Sequence, residues 1–453
     1  MTADSESKTK GNSFNWIPSP LAIALGLTVV TAVAASFLGA DVNTIAVSWR
    51  EGLWNRPLIV FAFQAALMLV LGHALALTPA ADRVIRKVVT LAGNTNARAA
   101  ATVALVACLA GWINWGLGLI VGAVLARKVG EHAKARGLPL HYGLVGAAGY
   151  CGLMVWHGGL SGSAPIKVAE PGHLADLAAI ADIAPGVLPE ALPLGLTVFS
   201  FHNFVMTGAL ILGAVATAFA MGRIIDRSGS IKPALPQIVE PAVRSRLAPH
   251  LRILPTLFGL TLLLLAVQKA ALHPDAGRLG FIDPDWTNQT LLGLAFLLHG
   301  SLKRFLQAVE AAIGGTSGIL IQFPLYFGIM GIMSNTGLVE ALSMAMVKLS
   351  TPATFELWTV LSAGIVNVFV PSGGGQWAVQ GPLLIRAALD LGVPLDRTIL
   401  AMAYGDELTN MLQPFWALPL LGITGLAAKD ILPFTLRFLG VGLALCLLLI
   451  ALF

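Results

Sequence analysis

G-I-V-N-V-F-V-P-S-G-G-G-Q-W at 364–377 and G-W-I-N-W-G-L-G at 111–118 are the stretches on which the reading of this fold turns. Each sits at the centre of a long apolar segment, about 354–387 and about 99–126. Gly and Pro weaken a helix interior, and Asn and Ser offer the backbone competing hydrogen bonds, so both segments should break in the middle. Broken backbone at membrane depth survives only where protein or a water-filled cavity surrounds it, because lipid satisfies no N–H or C=O group. Interruptions paired between two halves of a chain point to the substrate site of a transporter, near the bilayer midplane.

The rest of the chain suits that reading. Of its 453 residues, 56% are hydrophobic and only 11% charged, against roughly 25% charged in a soluble domain. A mean hydropathy of +0.80 cannot come from one buried core. Apolar spans fall near 17–39, 58–78, 142–158, 191–220, 253–272, 289–302, 318–338, 398–424 and 431–451. The expected fold class is an all-α polytopic membrane protein, with about nine to twelve membrane-spanning helices. A polar tail, 1–16, precedes the first span, which has no small-residue cleavage pattern and reads as a retained helix.

Several function classes lose support. Cys108, Cys151 and Cys446 stand apart in apolar sequence and suggest neither disulfides nor a metal site. There is no G-x-x-x-x-G-K-[ST] and no nucleophile–base–orienter set, so ATP hydrolysis and enzyme chemistry have no visible machinery, and no cofactor or metal is expected. An isoelectric point near 9.2 fits basic loops on one side of a membrane better than a nucleic-acid partner.

Those basic residues set the orientation. Arg83, Arg86, Lys87 and Arg98 precede 99–126, and Arg127, Lys128, Lys134 and Arg136 follow it. Both flanks then face the cytoplasm, so the stretch enters and leaves on one side as a re-entrant hairpin. Arg223, Arg227, Lys232, Arg244, Arg246 and Arg252 mark 222–252 as cytoplasmic as well, whereas 273–288 has only Arg278. The N-terminus is inside.

An internal repeat supports the scheme. Gly111-Trp-Ile-Asn114 matches Gly364-Ile-Val-Asn367, and Gly137-Leu-Pro-Leu140 matches Gly392-Val-Pro-Leu395. Tyr150 and Tyr404 then follow at nearly equal distances. With the second hairpin opening from outside, the halves are inverted repeats. The expected organisation has a first helix and external loop over 17–57 and a first repeat over 58–221. A basic linker at 222–252 and scaffold helices at 253–317 then lead to a second repeat over 318–453.

Candidate substrate residues lie at the interruptions: Asn114, Trp115, Asn367, Ser372, Gly373, Gly374, Gly375, Gln376 and Trp377, with Asn410 nearby. A helix N-terminus facing a cavity offers N–H groups to an anion. Glycines let backbone close on a small solute, with φ > 0 or close approach expected at Gly374. In Y-G-D-E-L-T-N at 404–410, Asp406, Thr409, Asn410 and then Gln413 share a helical face that Pro414 should loosen. Acids within an apolar span mark a coupling path. Asp406, Glu407 and Thr409 are therefore ion-coupling candidates, with His157, a residue type whose free side chain changes charge near neutral pH. The competing reading puts Asp406 and Glu407 at a membrane edge, simply hydrated, and makes His157 structural.

The chain resembles the bacterial short-chain fatty acid transporters of the AtoE type, within the wider ion-transporter superfamily. The matching stretches are G-N-T-N-A-R-A-A at 93–100, W-I-N-W-G-L-G at 112–118, H-G-G-L-S-G-S-A-P at 157–165 and F-H-N-F at 201–204. V-P-S-G-G-G-Q-W-A-V-Q-G-P at 370–382 and Y-G-D-E-L-T-N at 404–410 complete the set. The resemblance implies uptake of small monocarboxylates such as acetoacetate or butyrate across the bacterial cytoplasmic (inner) membrane. It further implies coupling to protons, or with less support sodium, and paired re-entrant hairpins in a mobile domain against a scaffold in a homodimer. The hairpin cores contain no arginine, and Arg386 stands only at the far edge of the second, which favours a monoanion. The alternatives are a sodium-coupled dicarboxylate carrier and a membrane-embedded protein without transport activity.

Overall fold

A computed structural model of the chain describes residues 18–228, 253–273, 281 and 283–453, and every regular element among them is a helix. The expected tail 1–16, residues 229–252 of the basic linker and Arg278 lie outside the described residues. Among the described residues, seven helical runs are long and apolar enough to cross a membrane: Pro20–Phe37, Arg56–Ala76, Asn96–Ile113, Phe201–Ser228, Ile253–Leu272, Leu302–Asn335 and Ala428–Leu452. The outer ones turn large apolar side chains outward, Leu254, Leu257, Phe258 and Leu264 in Ile253–Leu272 among them. So much exposed apolar surface suits lipid and not water.

Seven is fewer than the nine to twelve spans expected, because several apolar segments break into shorter pieces. The segment 142–158 is helical only over Tyr142–Tyr150, passes through a 3₁₀ turn at Cys151–Met154 and then leaves helical geometry. The segment 398–424 divides into Leu395–Thr409, a 3₁₀ turn at Asn410–Leu412, and Pro414–Thr424. Gln413 is extended there (φ −84°, ψ 122°), as a residue before proline prefers. Pro414 therefore opens a new helix instead of loosening an old one, and Gln413 does not continue the helical face of Asp406. The helix expected from 191 begins only at Phe201, and that expected at 289–302 is Pro284–His299.

Helices also fall where loops or boundaries were expected, among them Val42–Leu53, Pro79–Ala92, Leu302–Ile313 and Leu338–Leu349. Each is short and mixes apolar with polar residues at helical spacing, a pattern that a search for uniformly apolar spans passes over.

Both quoted stretches break. In the first half, Asn96–Ile113 and Trp115–Ala135 meet at Asn114, whose backbone is extended (φ −157°, ψ 131°). The two helices lie against each other beyond the break, where any side chain on Gly118 would overlap the backbone of Gly111. In the second half, Phe355–Phe369 and Gly373–Leu391 are joined by Val370–Ser372. Gln376 Nε2 donates to Ala363 O (2.9 Å) and Gln380 Nε2 to Ser362 Oγ (3.1 Å), holding this pair together. Aligning the asparagines does not align the breaks: Asn114 is its own break, whereas Asn367 is still helical.

The G-N-T-N stretch anchors the first pair. Asn96 N–H and Nδ2 both donate to Asp226 Oδ1 (2.9 and 2.8 Å), at the end of Phe201–Ser228. Thr95 Oγ1 caps the helix by accepting from Arg98 N–H (3.2 Å).

Candidate functional site

The second break faces a cavity of about 80 Å3. One water needs roughly 10–15 Å3 on the same measure, so a solute of a few heavy atoms fits. One wall is aromatic, built from Phe61, Trp115, Trp156 and Trp416. The Trp115 and Trp416 rings lie edge to face at 5.2 Å, with Phe61 at 6.0 Å from each. The polar part of the lining is a second wall formed by Ser163, Ser372, Gly373 and Gly374.

That polar wall is the start of the helix Gly373–Leu391. Ser372 Oγ accepts from Gly375 N–H (3.2 Å), and Ser372 O accepts from Gln376 N–H (2.7 Å). Among the described residues, the N–H groups of Gly373 and Gly374 have no acceptor. Two uncapped donors at a helix N-terminus are suited to an anion. None of the three glycines has positive φ, so the left-handed geometry expected at Gly374 is absent. Close approach instead dictates Gly373, where a Cβ would stand 2.8 Å from both His157 Cε1 and Trp156 Cη2.

Behind this wall lie the acids. Asp406 and Glu407 are 1% and 0% exposed, within the bundle and not at a hydrated edge. His157 Nδ1 is 2.5 Å from Asp406 Oδ2, and His157 Nε2 is 3.1 Å from Ala164 N. A backbone N–H only donates, so Nε2 must hold a lone pair. This hydrogen-bond pattern assigns a neutral imidazole whose proton is on Nδ1 and is donated to Asp406. Glu407 Oε2 accepts from His157 N–H (2.8 Å) and Gly158 N–H (3.2 Å). Among the described residues, Asp406 Oδ1 and Glu407 Oε1 are buried without a hydrogen-bond partner. Buried carboxylates without a cation in contact are a costly arrangement to keep.

The profile of the short chain fatty acid transporter family matches residues 7–452. This chain belongs to that family. A protein of Escherichia coli strain K12, named as a candidate short-chain fatty acid transporter, is 35% identical over 435 residues, covering 94% of this chain and 93% of its own. A protein of the same name from Haemophilus influenzae is 33% identical over 438 residues, covering 94% of each chain. Among solved structures, the YdaH transporter of Alcanivorax borkumensis is 16% identical, covering 96% of this chain and 98% of its own at a TM-score of 0.42. Membership makes this chain a multi-pass membrane transporter and not an enzyme.

In this family member, Trp115, Ser372, Gly373 and Gly374 are the substrate candidates that line the cavity. The others are engaged elsewhere. Asn114 Oδ1 accepts from Gly116 N–H (3.0 Å) and Leu117 N–H (3.1 Å), capping its own helix. Asn367 Nδ2 donates to Asp406 O (2.7 Å), Thr409 Oγ1 (3.0 Å) and Asn410 Oδ1 (3.1 Å), and Asn367 O accepts from Gln413 Nε2. Thr409 and Asn410 thus tie the second helix pair to the acid-bearing helix. Asn410 Nδ2 reaches back to Leu153 O (3.4 Å), and Tyr150 hydroxyl donates to Asn410 O (3.0 Å), so the two 3₁₀ turns meet. Gln376 turns into its own helix pair, Gly375 packs beside Met330, and Trp377 Nε1 donates to His173 Nε2 (3.0 Å) away from the cavity.

Phe61, Leu153, Trp156, Ser163 and Trp416 complete the lining without having been candidates. Trp156 and Ser163 belong to or adjoin the H-G-G-L-S-G-S-A-P stretch and could have been found from it. Phe61 and Trp416 lie in apolar spans where an aromatic looks like any core residue. Asn203, of F-H-N-F, was also missed: its Nδ2 donates to Gly158 O (2.7 Å), and its Oδ1 accepts from Tyr404 hydroxyl (3.0 Å).

Proposed function

We propose that this transporter imports short-chain monocarboxylates, such as acetoacetate or butyrate, across the bacterial inner membrane by proton symport with alternating access. The observation that carries the proposal is the pairing of a small aromatic-walled cavity, with uncapped Gly373 and Gly374 amides, and a buried His157–Asp406–Glu407 cluster next to it. The substrate carboxylate accepts from those amides and from the Ser163 and Ser372 hydroxyls. Its short tail lies on Trp115, Trp156 and Trp416. Among the described residues no Lys or Arg lines the cavity, so the second charge of a dicarboxylate would have no cation there to meet. Asp406 carries the coupled proton, with Glu407, Thr409 and His157 setting its surroundings.

The helix pairs at 99–126 and 354–387 act as re-entrant hairpins of two inverted repeats, 58–221 and 318–453. Support comes from the order of elements. A long helix, a short amphipathic one, a broken pair, a glycine at positive φ (Gly137, 66°; Gly392, 71°), a helix and a 3₁₀ turn follow each other in both halves. The segments 17–57 and 253–317 serve as scaffold, and two copies of the chain associate as the family resemblance implies.

Purified protein in sealed liposomes tests the reading, with labelled acetoacetate, butyrate and succinate under separate proton and sodium gradients. Proton-driven accumulation of the monocarboxylates is expected. Uptake of none of them refutes transport of this class, and faster succinate uptake moves the assignment to a dicarboxylate carrier. Orientation is tested by external thiol labelling of intact cells in a cysteine-free background. Thr90→Cys and Arg136→Cys, both at exposed positions, should resist an impermeant reagent, whereas Ala133 is too buried to report.

A further inference from the structure

We propose that His157 is a positioning residue whose imidazole, bonded to Asp406 on one side and to the cavity wall on the other, releases that wall when it takes up a proton at Nε2, an assignment that rests on the proton-symport reading above. Contacts on every side of one imidazole carry it. Nδ1–H is donated to Asp406 Oδ2 (2.5 Å), and Nε2 accepts from Ala164 N–H (3.1 Å). Ala164 lies in the short helix Ser163–Lys167, whose first residue lines the cavity. The ring stacks on Trp156 (4.6 Å between centroids, 21° between planes), and Trp156 also lines the cavity. Its Cε1 approaches Gly373 so closely that a Cβ there would stand 2.8 Å away. His157 is 0% exposed and therefore joins the acids to both polar elements of the cavity.

The neutral ring can hold Ala164 only through the Nε2 lone pair. A proton arriving at Nε2 turns that lone pair into an N–H bond, while the Nδ1 proton stays with Asp406. The Ala164 N–H then faces another donor, and the turn bearing Ser163 loses its tether to the ring. The bond is present when the imidazole is neutral and is lost as pH falls and the ring takes its second proton.

Of the titratable groups on Leu395–Thr409, Asp406 bonds the ring, Glu407 bonds the His157 backbone N–H, and the Tyr404 hydroxyl is donated to Asn203 Oδ1 (3.0 Å). On the other elements packed against it, Lys167 pairs with Glu170 (2.8 Å), His202 faces the Tyr404 ring, and Val370–Gln376 contains no titratable side chain.

Two substitutions separate the roles of the ring nitrogens. His157→Gln can keep an acceptor near the Nε2 position but cannot titrate. His157→Asn can keep a donor near the Nδ1 position and loses the acceptor. Hydrogen–deuterium exchange of the peptide carrying Ala164 is measured in lipid nanodiscs at about pH 8 and about pH 5, corrected for the intrinsic rate. Protection of that amide in the unmodified protein should fall roughly tenfold at the lower pH, stay high at both in His157→Gln, and be low at both in His157→Asn. Protection that does not change with pH in the unmodified protein overturns the proposal. So does a His157→Gln variant that follows the unmodified protein's pH dependence. In the liposome assay, His157→Gln should exchange labelled butyrate at a rate independent of pH, and an unchanged pH profile again overturns it. Exchange at Ala164 needs no substrate, so its failure removes this assignment alone, whereas absence of uptake by the unmodified protein removes the transport reading beneath it.

Discussion

The two breaks are built from similar sequence and end in opposite chemistry. At the first, Asn114 Oδ1 accepts from Gly116 and Leu117 N–H, and Ser161 Oγ accepts from Trp115 N–H (3.0 Å). The helix start there is satisfied by protein. At the second, Ser372 caps only Gly375, and Gly373 and Gly374 keep their donors toward the cavity. The same contrast recurs two residues past each matched tyrosine. Gly152 stands against the first pair, where a Cβ would come 2.5 Å from Ala107 O, whereas Asp406 stands against the second and has its own carbonyl held by Asn367. One half is a packed wall. The other carries unsatisfied donors and buried acids. Two breaks of similar sequence therefore differ in role, one structural and one chemical.

The contrast can be broken most severely at Asp406. Asp406→Asn should reduce gradient-driven accumulation to background while counterflow exchange persists, with uptake normalised to inserted protein. Concentrative uptake with unchanged pH dependence would move the coupling role to Glu407 or His157. Next comes Gly373→Ala, which pushes a methyl into the rings of His157 and Trp156. Overpacking of this kind costs about 1–3 kcal/mol, and initial uptake rates should fall by roughly tenfold.

Gly374→Ala should be gentler, because its Cβ meets Ser163 Oγ at 3.7 Å, ordinary contact. Thermal stability should hold while KM for butyrate rises roughly threefold to tenfold, about 1 kcal/mol of lost binding. Gly440→Ala, with nothing within 4 Å, is its control. Gly442 is unsuitable because its Cβ would stand 2.7 Å from Leu408 Cδ2. The smallest effect on transport belongs to the first break. Asn114→Ala removes a cap worth about 0.5–2 kcal/mol, so the melting temperature should drop with KM unchanged. A raised KM there would mean that the first break also touches substrate.

The candidate site was legible where the residue type itself was unusual for its surroundings. Ser372–Gly374 and the acids of Y-G-D-E-L-T-N stand out in apolar sequence, and the structure brings them to neighbouring places. Legibility failed where spacing was extended across a break. Gln413 counts as i+7 from Asp406 only if the helix continues, and Pro414 ends that assumption. Gln376 and Trp377 adjoin the cavity-lining glycines in sequence, yet the helical turn carries both side chains into protein packing. Gln380 receives one and His173 the other.

By itself, the sequence determined that the chain is an all-helical membrane protein and that two of its apolar segments break at their centres. Those properties depend on composition and local backbone preference, which act over a few residues. Tertiary structure decided which break keeps free donors, because that depends on whether a distant acceptor such as Ser161 arrives to satisfy them. It decided too that Phe61 and Trp416, separated by most of the chain, share one wall. It alone set the tautomer of His157, since Asp406 and Ala164 reach the two ring nitrogens from different elements. A hydrogen bond between remote residues leaves no periodicity in the sequence, and its chemistry exists only once the chain has folded.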